Sequence, residues 1–142
     1  MIAERKILLS PTQVDNLHRQ AHSNLMIWTL SQVALGGAIG SLLRYLTIMA
    51  VSAPIGTLVV NVVGSFAMGL LFVVLSSRAN LSPLLMTGVL GGFTTFSAFS
   101  LDALKLGQSD QTGPAIAYIA GSVILSLIAV ACGAALARGA FA

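Results

Sequence analysis

The chain has 142 residues, of which 56% are hydrophobic and only 8% charged; its net charge is +3 and its mean hydropathy +0.94. Soluble domains carry about 25% charged residues, so seven basic and four acidic side chains exclude most cytosolic enzymes and scaffolds, and the hydrophobicity excludes disorder. So few charges build no basic surface for nucleic acid, and the single Cys132 can form no internal disulfide.

Residues 1–24 read as a polar tail set apart from a membrane domain over 25–142. Ser10-Pro11 has the pattern of a cap followed by proline at the first helical position, and Val14, Leu17, His18 and Ala21 follow at helical spacing. A short interfacial helix and a frayed tail both fit this stretch. The early apolar run Ile7-Leu8-Leu9 is too short for a signal peptide. His18 and His22 stand at a metal-compatible i, i+4 spacing, but no Cys, Asp or Glu completes a ligand set, and polar residues on a tail explain them better.

Beyond the tail, the charges leave four gaps. There are 24 uncharged residues between Arg19 and Arg44, 33 between Arg44 and Arg78, 23 between Arg78 and Asp102, and 27 between Asp110 and Arg138. A bilayer-spanning helix takes roughly 20 apolar residues, so each gap holds one span and none comfortably holds two. The expected fold is an all-α integral membrane protein with four transmembrane helices near 25–50, 55–76, 81–101 and 114–137. Pro54, Pro83 and Pro114 fall at or near helix starts, where a missing N–H is least harmful. The first two connections are tight. The third, from Asp102 to Gly113, reads as longer and polar, with Asp102 a solvated loop acid.

With four spans, one side of the membrane receives Arg19, Arg78 and Arg138 near the helix ends, and the other Arg44 and Lys105. That is almost no positive-inside bias. Either the distant Arg5 and Lys6 tip the chain to an N-inside orientation, or it inserts both ways and pairs as an antiparallel dimer.

The interior is neutral. No acidic residue occurs between Asp15 and Asp102, which removes the titrating group of a proton-coupled transporter and the acidic ring of a cation channel. No catalytic triad, zinc-ligand set or phosphate loop lies in the spans, so the chain is not expected to be an enzyme. What remains is ordered. Thr57, Asn61 and Ser65 repeat at i, i+4, i+8 on helix two, and Tyr118, Ser122 and Ser126 repeat that spacing on helix four. Such stripes serve helix packing in many bundles, and Gly36-x-x-x-Gly40, Gly88-x-x-x-Gly92 and Ala129-x-x-x-Gly133 fit that use. Two parallel stripes with an asparagine at mid-helix point further, to a hydrogen-bonding pathway, because an unpaired amide in hydrocarbon is expensive.

Helix three carries Gly91-Gly92-Phe93-Thr94-Thr95-Phe96-Ser97-Ala98-Phe99-Ser100. Paired glycines followed by two β-branched threonines form a poor helix interior, which predicts local unwinding near Gly91–Thr95. Backbone freed at membrane depth must be buried or line a polar site. Its carbonyls suit a hard monovalent cation, or accept Ser and Thr hydroxyls. Phe96 and Phe99 share a face, either as core packing or with positive ring edges toward an anion.

This run closely resembles the third-helix signature of the Fluc (CrcB-like) fluoride channels. Three further blocks agree in order and spacing: Gly36 to Gly40 leading to Arg44-Tyr45; Gly56-Thr57 through Asn61 to Gly64-Ser65-Phe66 and Gly69; and Tyr118, Ser122 and Ser126. The resemblance covers about residues 30–130, all four spans but not the tail. It implies an antiparallel, dual-topology homodimer in the cytoplasmic (inner) membrane of a bacterium-like cell, passing fluoride passively outward and so relieving fluoride toxicity. It also implies a structural Na+ at the dimer centre, held by the backbone carbonyls of Gly91 and Thr94 from both subunits. Phe96 and Phe99 would present ring edges to the ion and Asn61 its amide. Tyr118, Ser122 and Ser126 would form a polar track with Thr57, and Arg44 would stand at the entrance. Two departures matter: Ala98 replaces the usual threonine, and Asp102 stands where many members carry glutamate. Other readings of the same size class are a small dual-topology multidrug-type transporter, disfavoured by the missing carboxylate in helix one, and one half of a heterodimeric channel.

Overall fold

The computed structural model describes residues 10–76, 79–109 and 111–141. Arg5, Lys6, Arg78 and Asp110, used above to count charges, lie outside the described residues. The chain is all-helical there, with α1 at Pro11–Val51, α2 at Ile55–Val74, a short 3-10 turn at Ala79–Leu81, α3 over 83–93, α4 at Phe96–Gln108 and α5 at Thr112–Phe141. Four helical segments, Asp15–Val51, Ile55–Val74, Pro83–Gln108 and Thr112–Ala140, are long and apolar enough to cross a bilayer. The chain is therefore a multi-pass membrane protein.

Ser10 caps α1 as its spacing to Gln13 suggests. The Ser10 hydroxyl accepts the Gln13 backbone N–H at 3.3 Å, and the Gln13 side chain accepts the Ser10 N–H at 2.9 Å, a reciprocal capping box. The helix then runs without a break at residues 24 and 25, so residues 11–24 are a direct extension of the first span. Forty-one residues at 1.5 Å rise make about 60 Å, twice the hydrocarbon thickness of about 30 Å.

The helices pack in two main pairs, α1 on α3 and α2 on α5. Glycine sets both distances. A Cβ at Gly36 would meet the Val89 N at 2.8 Å and the Gly88 Cα at 2.9 Å, and one at Gly40 would meet the Phe93 N at 2.8 Å. Across the other pair, a Cβ at Gly69 would meet the Ala134 N at 2.9 Å and one at Gly133 the Leu70 N at 3.0 Å. Close backbone approach of this kind is how helices associate where no hydrophobic effect drives them.

The third span changes partner midway. Its first half packs on α1 and its second half, α4, on α5. Pro83–Leu90 has π-helical hydrogen bonding, with the Gly91 N–H reaching back to the Met86 carbonyl. Gly91–Phe93 stays helical, Thr94 (φ −74°, ψ 154°) and Thr95 (φ −152°, ψ 121°) are extended, and helix resumes at Phe96. The extended backbone is thus confined to the two threonines, narrower than the Gly91–Thr95 stretch that propensity indicates: Gly91 closes the last π-helical turn on Met86, and Gly92 is held helical close against Gly37 of α1.

The helix resuming at Phe96 also runs past residue 101, to Gln108. The expected long third connection shrinks to the residues around Ser109–Gln111. Leu101, Leu104 and Leu106 continue the apolar pattern, and Lys105 in the last turn complements the negative end of the helix dipole. Asp102 is a helical residue and not a loop acid.

Candidate functional site

Breaking a helix leaves backbone groups without partners, and the site is built from what satisfies them. Asn61, on the face of α2 turned toward the break, does so with both the oxygen and the nitrogen of its amide. Its Oδ1 accepts the Thr95 N–H at 2.8 Å, and its Nδ2 donates to the Thr95 carbonyl at 3.0 Å. The side chain acts as the partner that a neighbouring strand would supply, which stabilises extended backbone where no sheet exists. The Thr95 hydroxyl in turn accepts the Ala98 N–H at 3.2 Å and lies 3.2 Å from the Ser97 hydroxyl, capping α4. Gly64, one turn further along α2, leaves room for the Thr94 methyl group and the Phe93 ring.

The carbonyls at the end of α3 remain. Thr95 N–H, the donor that an unbroken helix would give to Gly91, goes to Asn61. Among the described residues, no backbone N–H from beyond the break reaches the carbonyls of Gly91, Gly92 or Phe93. The Thr94 carbonyl accepts from the Arg44 guanidinium at 3.3 Å. Free carbonyl oxygens at a half-helix C-terminus are the ligand type that transporter folds present to Na+, and Gly91 is exposed on this chain. The donor set fits a hard monovalent cation in kind.

Beside the break lies a cavity of about 340 Å³, lined by Asn61, Ser65, Thr94, Thr95, Phe96, Phe99, Ser122 and Ser126 among others. Among the described residues, no charged side chain lines it. The Phe96 and Phe99 rings meet at 5.3 Å between centroids, tilted by 48°, and Phe99 continues onto the Tyr118 ring at 5.5 Å. Phe99 is buried, whereas Phe96 is 77% exposed. Ser122 is buried and Ser126 half-buried. The two stripes read from spacing therefore converge on one volume: Asn61 and Ser65 from α2, Ser122 and Ser126 from α5.

Thr57 and Tyr118 lie one turn further, next to a residue that spacing had placed elsewhere. Asp102 is buried, and its Oδ2 accepts the Thr57 hydroxyl at 2.6 Å. The buried Tyr118 hydroxyl has no hydrogen-bond partner among the described residues. A second cavity of about 260 Å³, lined by Ala53, Pro54, Asp102, Lys105, Leu106 and Ser109, opens beside Asp102. Asp102 and Thr95 are the residues that sequence reasoning passed over as parts of the site. The signal for Asp102 was its i, i+3 spacing from Phe99, and for Thr95 its place as a hydroxyl residue just before a resumed helical period. Arg44, expected at an entrance, is half-buried at the break, on the Thr94 carbonyl, because α3 packs along α1 down to Phe93.

The sequence has relatives. A family model described as CrcB-like protein, Camphor Resistance (CrcB), matches residues 31–134. A protein of Cereibacter sphaeroides (strain ATCC 17029 / ATH 2.4.9) named fluoride-specific ion channel FluC is 54% identical over 121 residues, covering 80% of this chain and 98% of that protein. Proteins of the same name from Paracoccus denitrificans and Agrobacterium fabrum are 50% and 47% identical. They cover 80% and 79% of this chain, and 98% of each relative's length.

Proposed function

The chain belongs to the CrcB-like family, and from that premise we propose that it is a fluoride-selective channel that lets fluoride leave the cytoplasm by passive flux. The observation that carries this reading is the neutral cavity at the break. Its polar groups are an amide and several hydroxyls, and its apolar wall is two tilted phenylalanines with Val123 and Leu127. Fluoride is small and strongly hydrated, so its lost water must be replaced by close donors, while conduction requires several weak sites and no single tight one. The hydroxyls of Ser65, Ser122 and Ser126, spread along the cavity, meet both demands. Phe96 and Phe99 would add positive ring edges. Asn61 has one N–H beyond the one given to Thr95, and that proton is the one available to an ion. The unpartnered Tyr118 hydroxyl and the Thr57–Asp102 pair would extend the track toward the second cavity.

The active form is an antiparallel, dual-topology homodimer in the cytoplasmic (inner) membrane. The near-balanced arginines favour insertion both ways, and the 77% exposure of Phe96 leaves one wall of the cavity for a second copy to complete. Carbonyls of Gly91 and Thr94 would hold a sodium ion between the copies, supplying fixed positive charge to a region through which an anion passes and joining the two breaks.

The test is fluoride efflux from liposomes containing only this chain, with chloride as the control. Rapid fluoride release with chloride retained is the expected result; trapped fluoride, or equal chloride release, overturns the reading. Asn61→Asp should stop flux. The new carboxylate still accepts the Thr95 N–H, but it sets a negative oxygen against the Thr95 carbonyl and a fixed anion in the path.

A further inference from the structure

Among the described residues, two charged side chains stand inside the spans and away from the helix ends. Asp102 is engaged by Thr57. The other is Arg44, seven residues inside the end of α1 at Val51, whose guanidinium donates to the Thr94 carbonyl at 3.3 Å. Thr94 is one of the two extended residues, so its carbonyl is free only because the helix breaks there. Ala98, which would donate to that carbonyl in a continuous helix, gives its N–H to the Thr95 hydroxyl. The break thus makes an oxygen available, and the chain fills it with its own cation.

We propose that Arg44 is a tethered cation that competes with sodium for the Thr94 carbonyl and so sets the sodium affinity of the helix break. This rests on the reading that the break holds sodium. A carbonyl oxygen has two lone pairs, but two cations on one oxygen stand only a few ångströms apart, where the interior screens their repulsion poorly. Sodium arriving at Thr94 must therefore push the guanidinium aside or bind weakly against it. Arginine suits the role because it stays charged at any pH the protein meets. A lone anchoring function for Arg44 makes the opposite prediction, since loosening an anchor weakens a site that the anchor supports.

The experiment titrates sodium into detergent-solubilised protein held in N-methylglucamine buffer and reads Tm from the fluorescence of Trp28. For the unaltered chain Tm should rise with sodium. In Arg44→Gln, which keeps an N–H donor and removes the charge, the half-saturating sodium concentration should fall at least tenfold. An unchanged or raised half-saturation overturns the proposal while leaving sodium binding intact. A chain whose Tm ignores sodium in both forms overturns the sodium reading and the proposal with it. A second measurement needs no variant: phenylglyoxal labelling of the unaltered protein, read by peptide mass spectrometry. Sodium should raise the labelling of Arg44 severalfold relative to Arg138. Equal or slower labelling of Arg44 in sodium counts against competition.

Discussion

α2 meets its neighbours in two different ways. Against α5 it presents Gly69, and α5 answers with Gly133; the contact is a close approach of backbone to backbone. Against the third span it presents Thr57 and Asn61, each bonded to one chosen group, Asp102 and the Thr95 peptide. Small residues bring helices together without specifying what passes between them. Polar side chains hold a shape that the backbone would not keep unaided, and they leave spare donors and acceptors facing a cavity. The same helix therefore carries scaffold along one seam and site along another.

The largest effect should come from the glycine seam between α1 and α3. In Gly40→Leu the new Cβ would already overlap the Val89 carbonyl and stand 2.8 Å from the Phe93 N. Overpacking of that kind typically costs about 1–3 kcal/mol or more, and here it pushes apart the helices that position the break. We expect loss of monodisperse protein on size exclusion and no fluoride efflux; a well-behaved, conducting Gly40→Leu would show that the seam is not a scaffold. Next comes Asn61→Leu, which preserves bulk and removes both bonds to Thr95. Each unsatisfied group costs about 1–3 kcal/mol, so Tm should fall and flux disappear, with hydrogen exchange at the Thr95 amide faster by tenfold or more.

A smaller change is expected from Thr57→Val, which leaves the shape nearly intact and takes the donor from Asp102. Fluoride efflux should drop severalfold and Thr57→Ser should restore it; wild-type rates in Thr57→Val would detach this pair from the path. The smallest effect belongs to Gly121→Ala. Nothing lies within 4 Å of a Cβ there, and replacing glycine in a helix interior gains up to about 1 kcal/mol. Tm should stay level or rise slightly, with efflux unchanged, which separates glycines that permit contact from one that does not.

Much of the architecture was legible without coordinates. Charge spacing located four spans, and the i, i+4 repeats of Thr57–Asn61–Ser65 and Tyr118–Ser122–Ser126 indicated the faces that meet. The Gly-Gly-Phe-Thr-Thr run marked the region of the third span where the extended residues lie. Asp102 was misplaced because a charge at the end of an apolar run looks like the end of a helix, whereas α4 continues for six more residues to Gln108. The contact of Arg44 with the Thr94 carbonyl was not legible for a related reason: nothing in a lone arginine near the end of a span tells which backbone oxygen on a neighbouring helix is left for it.

Composition and period are one-dimensional quantities, and they determined what one-dimensional physics can: a membrane protein, four spans, and stripes of neutral polar side chains inside them. Partner choice is different. The pairs Asn61–Thr95, Thr57–Asp102 and Arg44–Thr94 join residues 34, 45 and 50 positions apart. Which amide clamps which peptide, which carbonyls are left over, and which cation reaches one of them were decided only in the tertiary structure. The third span leaves α1 for α5 partway through, and the backbone groups that this crossing strands take whatever donors and acceptors the neighbouring helices hold at that depth.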